Sequence, residues 1–369
     1  MKDTGFFMPT RLIVGDRCIQ KNTPLFHLGR SCLIVTGKNS ARASGALEDV
    51  TSALAKEGVS YGVFDEVGQN PLLSACVRGG ETARSVYADF IVGIGGGSPL
   101  DAAKAVAIFA TNQFENPADV FACRWTAPAL PVILVGTTAG TGSEVTPYSV
   151  ITVDETNQKR SISDPQCFAL AAFGDPRYTE GLSEKFTVST ALDALSHCIE
   201  SYFNKLADPM TDLHALEGAK IINGVLSALP SGRLPDTQQR QALYLASIYA
   251  GLAIAKTGTC YCHSLGYFLS ERHGIPHGVA CAVYLPDFLE RAVRCEPERA
   301  DRFFRAVGTD LKTLCSMIGS RSKIEPVTLS DEEIAEQAVR SSGSKNFLNS
   351  PGTFDAEAAT VVLKRLFTR

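Results

Sequence analysis

Four residues stand out for the chemistry they could do together: Asp193, His197, His263 and His277. Asp193 and His197 lie in the stretch 186–202, which lacks Gly and Pro. Its apolar positions Val188, Leu192, Leu195, Ile199 and Tyr202 recur at helical spacing, so a helix is predicted there. Residues four apart share a helix face, which lets a carboxylate oxygen and an imidazole nitrogen aim at one point. His263 and His277 belong to a second segment far along the chain. Three imidazoles and one carboxylate suit Fe(II), Zn(II) or a similar first-row ion, and the donor set does not choose among them. An ion held this way, with one face open, is a Lewis acid.

A second constellation is built to hold phosphate. Gly93-Ile-Gly-Gly-Gly-Ser-Pro-Leu-Asp101 follows an apolar run and opens a helical one. Gly95, Gly96 and Gly97 let the backbone approach a diphosphate without Cβ interference. Ser98 is expected as N-cap, Pro99 as first helical residue and Asp101 as the capping-box acid. The free N–H groups and positive dipole end of such a helix attract an anion. The run does not match Gly-x-Gly-x-x-Gly and follows a later strand, so the standard dinucleotide fingerprint is absent. Another loop, Thr137-Thr-Ala-Gly-Thr-Gly-Ser143, places hydroxyls and N–H donors (Thr137, Thr138, Thr141, Ser143) beyond another strand.

The elements that must carry these groups alternate through the first half. Strands are expected at 31–36, 60–64, 90–94 and 131–135, with helices at 41–57, through about 85, and at 101–110; 148–154 and 159–163 read as a small hairpin. That alternation predicts an α/β domain with a mainly parallel sheet. From Ser183 onward almost everything is helical in period, and Ser330-Asp-Glu-Glu resembles a capping box. The expected division is an α/β dinucleotide-binding domain, 1–178, and an all-helical metal-binding domain, 179–369.

The bulk numbers exclude several classes. The 369 residues are 45% hydrophobic and 20% charged, with formal net charge −4, so no footprint for nucleic acid or an anionic membrane is present. No run of about 18 uninterrupted apolar residues predicts a membrane span, and the N-terminus lacks a secretory apolar core. A cytoplasmic chain is expected. Eleven cysteines are scattered without a staple pattern and read as reduced, buried small hydrophobes. Cys260-Tyr-Cys262-His263 abuts a proposed ligand but lacks the second pair that a separate zinc site would need.

Taken in order, Gly95-Gly-Gly-Ser-Pro-Leu-Asp-Ala-Ala-Lys104, Thr137-Thr-Ala-Gly-Thr-Gly-Ser-Glu144, Asp193-Ala-Leu-Ser-His197 and Gly274-Ile-Pro-His-Gly278 resemble the motifs of the iron-containing (group III) alcohol dehydrogenases, which have the dehydroquinate synthase-like fold. The resemblance spans nearly the whole chain, including 11–15. It implies Asp193, His197, His263 and His277 as metal ligands, with Fe(2+) the usual ion and Zn(2+) an alternative. It implies dinucleotide contacts at Asn70, Gly97, Ser98, Thr137, Thr138 and Lys159, and a homodimer or larger assembly. Two positions depart from the family pattern. Many members carry a second His where this chain has Tyr267, which leaves proton delivery to Tyr267, His273 or water. NAD-preferring members place an Asp where this chain has Gly37; with Lys38 and Ser40 beside it, NADP(H) is favoured over NAD(H).

The implied reaction is hydride transfer between a nicotinamide and a small aldehyde or alcohol, in a cleft between the two domains. A segment from His263 to Gly278 looks closer to phosphonoacetaldehyde-type reductases, and Arg272 or Lys256 are the cations such a substrate would need. His27 and His214 read as ordinary surface or capping histidines. A dehydroquinate synthase-like lyase would want more cations than Lys185, Lys256 and Arg272, and a non-catalytic nucleotide-binding regulator would not need the ligands and cradle intact.

Overall fold

The computed structural model describes residues 4–368, which form two compact units: Phe7–Ser183 with Asp236–Gly251, and Glu184–Pro235 with residues 4–6 and 252–368. The first is an α/β unit. Its strands are β1 (Arg11–Val14), β2 (Ser31–Thr36), β3 (Ser60–Phe64), β4 (Phe90–Gly95), β5 (Val132–Gly136), β6 (Tyr148–Val153), β7 (Gln158–Ser163) and β8 (Ala171–Gly174). Six of them make one parallel sheet in the order β1-β8-β5-β4-β2-β3, and β6 and β7 pair as an antiparallel hairpin.

The central strands are buried on both faces, which is why they read as continuous apolar runs. Successive side chains serve different cores. Leu33, Val35, Ile91, Val132 and Leu134 pack into one cluster. Cys32, Ile34, Val92, Ile94, Ile133, Val135 and Phe173 pack into the other. The helices on these faces are α1 (Ser40–Ala43), α2 (Ala46–Lys56), α3 (Leu73–Ser85) and α4 (Gly97–Thr111).

The predicted strands are present with small shifts, and so is the hairpin. Two expectations need correction, and one strand is absent from the sequence reading. The helix expected over 41–57 is two, because Gly45 takes the left-handed conformation (φ +81°) between them. β8 had no strand signal: Ala-Ala-Phe-Gly has weak intrinsic preference, and only its place between β1 and β5 makes it a strand. Finally, α4 starts at Gly97 with Gly96 as its N-cap, so Ser98 and Pro99 lie inside the first turn and Asp101 is not a capping acid.

The second unit is helical. It contains α5 (Glu184–Tyr202) and α6 (Pro209–Ala228); α7 (Thr237–Thr257) belongs to the α/β unit through Gly251. Then follow α8 (Tyr261–His273), α9 (His277–Ala282), α10 (Leu285–Cys295), α11 (Pro297–Val307), α12 (Leu311–Arg321), α13 (Asp331–Ser342), α14 (Lys345–Leu348) and α15 (Ala356–Phe367). The capping box at Ser330 and Glu333 forms as expected and opens α13. No helix among the described residues is long and apolar enough to cross a membrane.

Candidate active site

α5 delivers Asp193 and His197 to one buried point, as their spacing predicts. Asp193 Oδ1 lies 3.9 Å from His197 Nε2, 3.5 Å from His263 Nε2 and 3.8 Å from His277 Nε2. Donors about 2.1 Å from a common ion at tetrahedral angles sit roughly 3.4 Å apart, so this spacing fits one first-row ion. Asp193, His197 and His263 are 4%, 6% and 2% exposed. Asp193 Oδ1 and His263 Nε2 are fully buried and make no hydrogen bond. A buried carboxylate oxygen and a buried imidazole nitrogen left this way are costly unless something binds them. The residues present therefore fit a divalent ion.

Burial by itself raises the proton affinity of the Asp193 carboxyl, but His197, His277 and His263 outweigh it and hold the group well below the usual carboxylate range. The acid is thus a ready anionic ligand.

Glu200, absent from the sequence reading, completes the cluster. It is fully buried on α5 and accepts a hydrogen bond from His263 Nδ1 as well as from the Cys260 and His263 amides. A proton held on Nδ1 leaves the Nε2 lone pair free for a metal, the usual carboxylate–histidine–metal arrangement. The spacing Asp193, His197, Glu200 (i, i+4, i+7) already places all three on one helical face. Glu200→Gln keeps an acceptor for the amides but loses the charge. It is expected to weaken metal binding by about 10- to 100-fold with little change in thermal midpoint, as a chelator competition would show.

His263 sits in the first turn of α8 and His277 opens α9. The two helices are fixed closely. A Cβ on Gly278 would lie 1.8 Å from the Ser189 carbonyl oxygen and 2.8 Å from Asp193 Cβ, so α9 packs its backbone directly on α5. Tyr267 stacks on His277, with centroids 5.4 Å apart and planes at 9°. His273 lies in the last turn of α8, exposed, and packs edge-on against Phe268. The structure thus brings Tyr267 to the ligand set and leaves His273 on the surface. His277 has the most accessible side chain of the four candidate ligands, at 30% against 3–7% for the others.

In the α/β unit the two glycine-bearing loops leave neighbouring strands β4 and β5 at their C-terminal ends, where ligands of open α/β sheets bind. Gly95 takes φ +152°. The loops touch: a Cβ on Gly96 would meet Thr138 at 3.0 Å, and one on Gly97 would meet Thr141 at 2.7 Å. The Thr137 amide donates to the Gly95 carbonyl at 2.8 Å. Asn70, in the left-handed region (φ +58°), donates its amide to Ser98 Oγ. The α4 N-terminus and the hydroxyls of Ser98, Thr138 and Thr141 therefore border one cradle.

Beneath it lies a buried network. Lys104 Nζ donates to the carbonyls of Ser143, Thr146 and Tyr148 at 2.7–3.1 Å and to Ser143 Oγ at 2.9 Å. Asp101, 3.8 Å from that ammonium, accepts from Ser143 Oγ and the Val150 amide. Asp101 and Ser143, expected at the cofactor, are thus engaged in holding the second loop. Lys159 is half-buried on β7, opposite Thr152, and its charge acts on Asp101.

Gly37 directly follows β2, with the exposed Lys38 and Ser40 after it. The cations considered as substrate anchors are already paired: Lys256 bonds Asp208 and the Gly5 carbonyl, and Arg272 bonds Glu336.

Known proteins resemble this chain in sequence and fold. A model described as iron-containing alcohol dehydrogenase matches residues 9–176, and one described as the C-terminal part of the Fe-containing alcohol dehydrogenase family matches 187–365. Alcohol dehydrogenase 4 of Saccharomyces cerevisiae is 32% identical over 295 residues, 79% of this chain and 76% of the yeast protein. An iron-containing alcohol dehydrogenase from Thermotoga maritima superposes with TM-score 0.91 at 36% identity, covering 98% of this chain and 99% of that one. A sulfoacetaldehyde reductase from Bifidobacterium kashiwanohense, solved with NAD+, gives TM-score 0.87 at 27% identity, with 99% of each chain covered. With both halves matched, the chain belongs to the iron-containing alcohol dehydrogenase family of oxidoreductases.

Proposed function

We propose that the protein is a metal-dependent aldehyde reductase that interconverts a small aldehyde and its alcohol, with NADP(H) preferred over NAD(H). The observation that carries the reading is the convergence of three imidazoles on Asp193 Oδ1, with buried donors left unbonded. Bound there, a divalent ion supplies Lewis-acid polarisation of a carbonyl oxygen. Bound at the cradle, a nicotinamide dinucleotide supplies or accepts the hydride.

The protein's own groups do the rest. Asp193, His197, His263 and His277 hold the ion, and Glu200 keeps the proton of His263 on Nδ1, away from the metal-facing Nε2. The α4 N-terminus with Ser98 and Thr138 binds diphosphate. Tyr267 Oη is the proposed proton donor, since its ring lies on His277 whereas His273 does not share that packing.

The preference for NADP(H) rests on the β2 end. Gly37 brings no carboxylate to repel a 2′-phosphate, and Lys38 and Ser40 are exposed beside it. For substrate, the likeness to a sulfoacetaldehyde reductase favours including anionic two-carbon aldehydes. The pairing of Lys256 and Arg272 with carboxylates favours simple neutral ones.

The test is reduced-nicotinamide oxidation by metal-reconstituted protein over an aldehyde panel that includes phosphonoacetaldehyde and sulfoacetaldehyde, with NADPH and NADH compared at equal concentration. No oxidation with any aldehyde, despite bound metal, would sink the reading. Lys38→Glu tests the cofactor argument better than Gly37→Asp, because a Cβ at Gly37 lies 3.0 Å from the Val67 carbonyl oxygen and adds steric cost. Lys38→Glu is expected to lower the NADPH:NADH ratio about tenfold, the effect of one charge-assisted contact. An unchanged ratio would count against it.

A further inference from the structure

Resting on the metal-site reading above, we propose that the Cys281 thiolate is itself a ligand of the bound ion, giving a softer sulfur–nitrogen–oxygen centre than the three imidazoles and carboxylate alone. One donor atom each from Asp193, His263, His277 and Cys281 lie within 4.8 Å of one another. Cys281 is fully buried, one helical turn after His277 on α9, so both side chains leave the same face. Its Sγ is 3.8 Å from both ring nitrogens of His277. In a five-donor centre, where angles between neighbours run from about 90° to 120°, a sulfur and a nitrogen at about 2.3 and 2.0 Å from the ion stand roughly 3.0–3.7 Å apart.

The thiol is also held in place. Gly266 follows His263 by three residues on α8, and a Cβ there would lie 2.8 Å from Cys281 Sγ and 3.1 Å from its Cα. The helix that carries one imidazole thus fixes the sulfur beside it. The observation independent of the cysteine is the pair of buried, unbonded atoms facing the same point, Asp193 Oδ1 and His263 Nε2. Ligation replaces the S–H bond by an S–metal bond and releases one proton to solvent, with no change of oxidation state. The consequence is selectivity: thiolate favours Zn(II) and Co(II) over harder ions.

Cobalt reads this directly. Full-length protein, stripped by chelator and loaded anaerobically with Co(II), is expected to show visible d–d bands and a near-ultraviolet sulfur-to-cobalt charge-transfer band. In Cys281→Ala and Cys281→Ser the visible bands should persist and the near-ultraviolet band vanish; zinc affinity by chelator competition should fall about tenfold or more. Visible bands without charge transfer in the unaltered protein would overturn the proposal while leaving the metal site standing. So would a charge-transfer band that survives both substitutions. Failure of the unaltered protein to take up cobalt would overturn the metal-site reading and this one together.

Discussion

Asp193→Asn is expected to fold, keep its dinucleotide affinity and lose its metal, and with it about 1,000-fold or more in turnover. The size follows from a Lewis acid contributing several kcal/mol to a transition state, at tenfold per 1.36 kcal/mol. The substitution is nearly isosteric and removes only the anionic oxygen on which the three imidazoles converge. It is preferable to His263→Ala, which would strand the buried Glu200 carboxylate without its Nδ1–H partner. Metal content by elemental analysis, circular dichroism and dinucleotide titration separate loss of the ion from loss of the fold. A variant that keeps one ion per chain would refute the assignment of Asp193.

Lys104→Met is expected to destabilise the protein by about 3–5 kcal/mol, the range for breaking a buried ion pair. Lys104 is 1% exposed, and its ammonium satisfies three carbonyls and a hydroxyl of the segment 143–148. Methionine fills similar volume but leaves those oxygens and Asp101 without a counter-charge. The dinucleotide should bind more weakly as well, because the same segment follows the loop that borders the cradle. Denaturant midpoint and dinucleotide Kd should therefore move together. A lost affinity at unchanged stability would mean that Lys104 touches the ligand rather than supporting its loop.

Much of the architecture was legible because its signals are local. β2, β4 and β5 are apolar runs of strand length, and the α5 pair sits at a spacing that only a helix brings together. What escaped is set by distant partners. β8 is Ala- and Gly-rich, and its neighbours make it a strand. The start of α4 is not legible because consecutive glycines read as turn, whereas Gly97 is already helical. Glu200 and Cys281 could have been found: each lies at helical spacing from a ligand already named. In sequence alone a Glu in a helix and one Cys among eleven are ordinary. Only burial against the other helices distinguishes them.

The contact at Gly278 bears on how substitution scans of this protein should be read. Position 278 offers no donor atom, carries no charge and performs no chemistry. Yet any side chain there would force α9 off α5, separating the helix that starts with His277 from the one that carries Asp193. In a loss-of-function screen it would score like a ligand. Sensitivity at such a position measures the tolerance of the spacing between two backbones, so an intolerant residue beside this centre is not by that fact a participant in its chemistry.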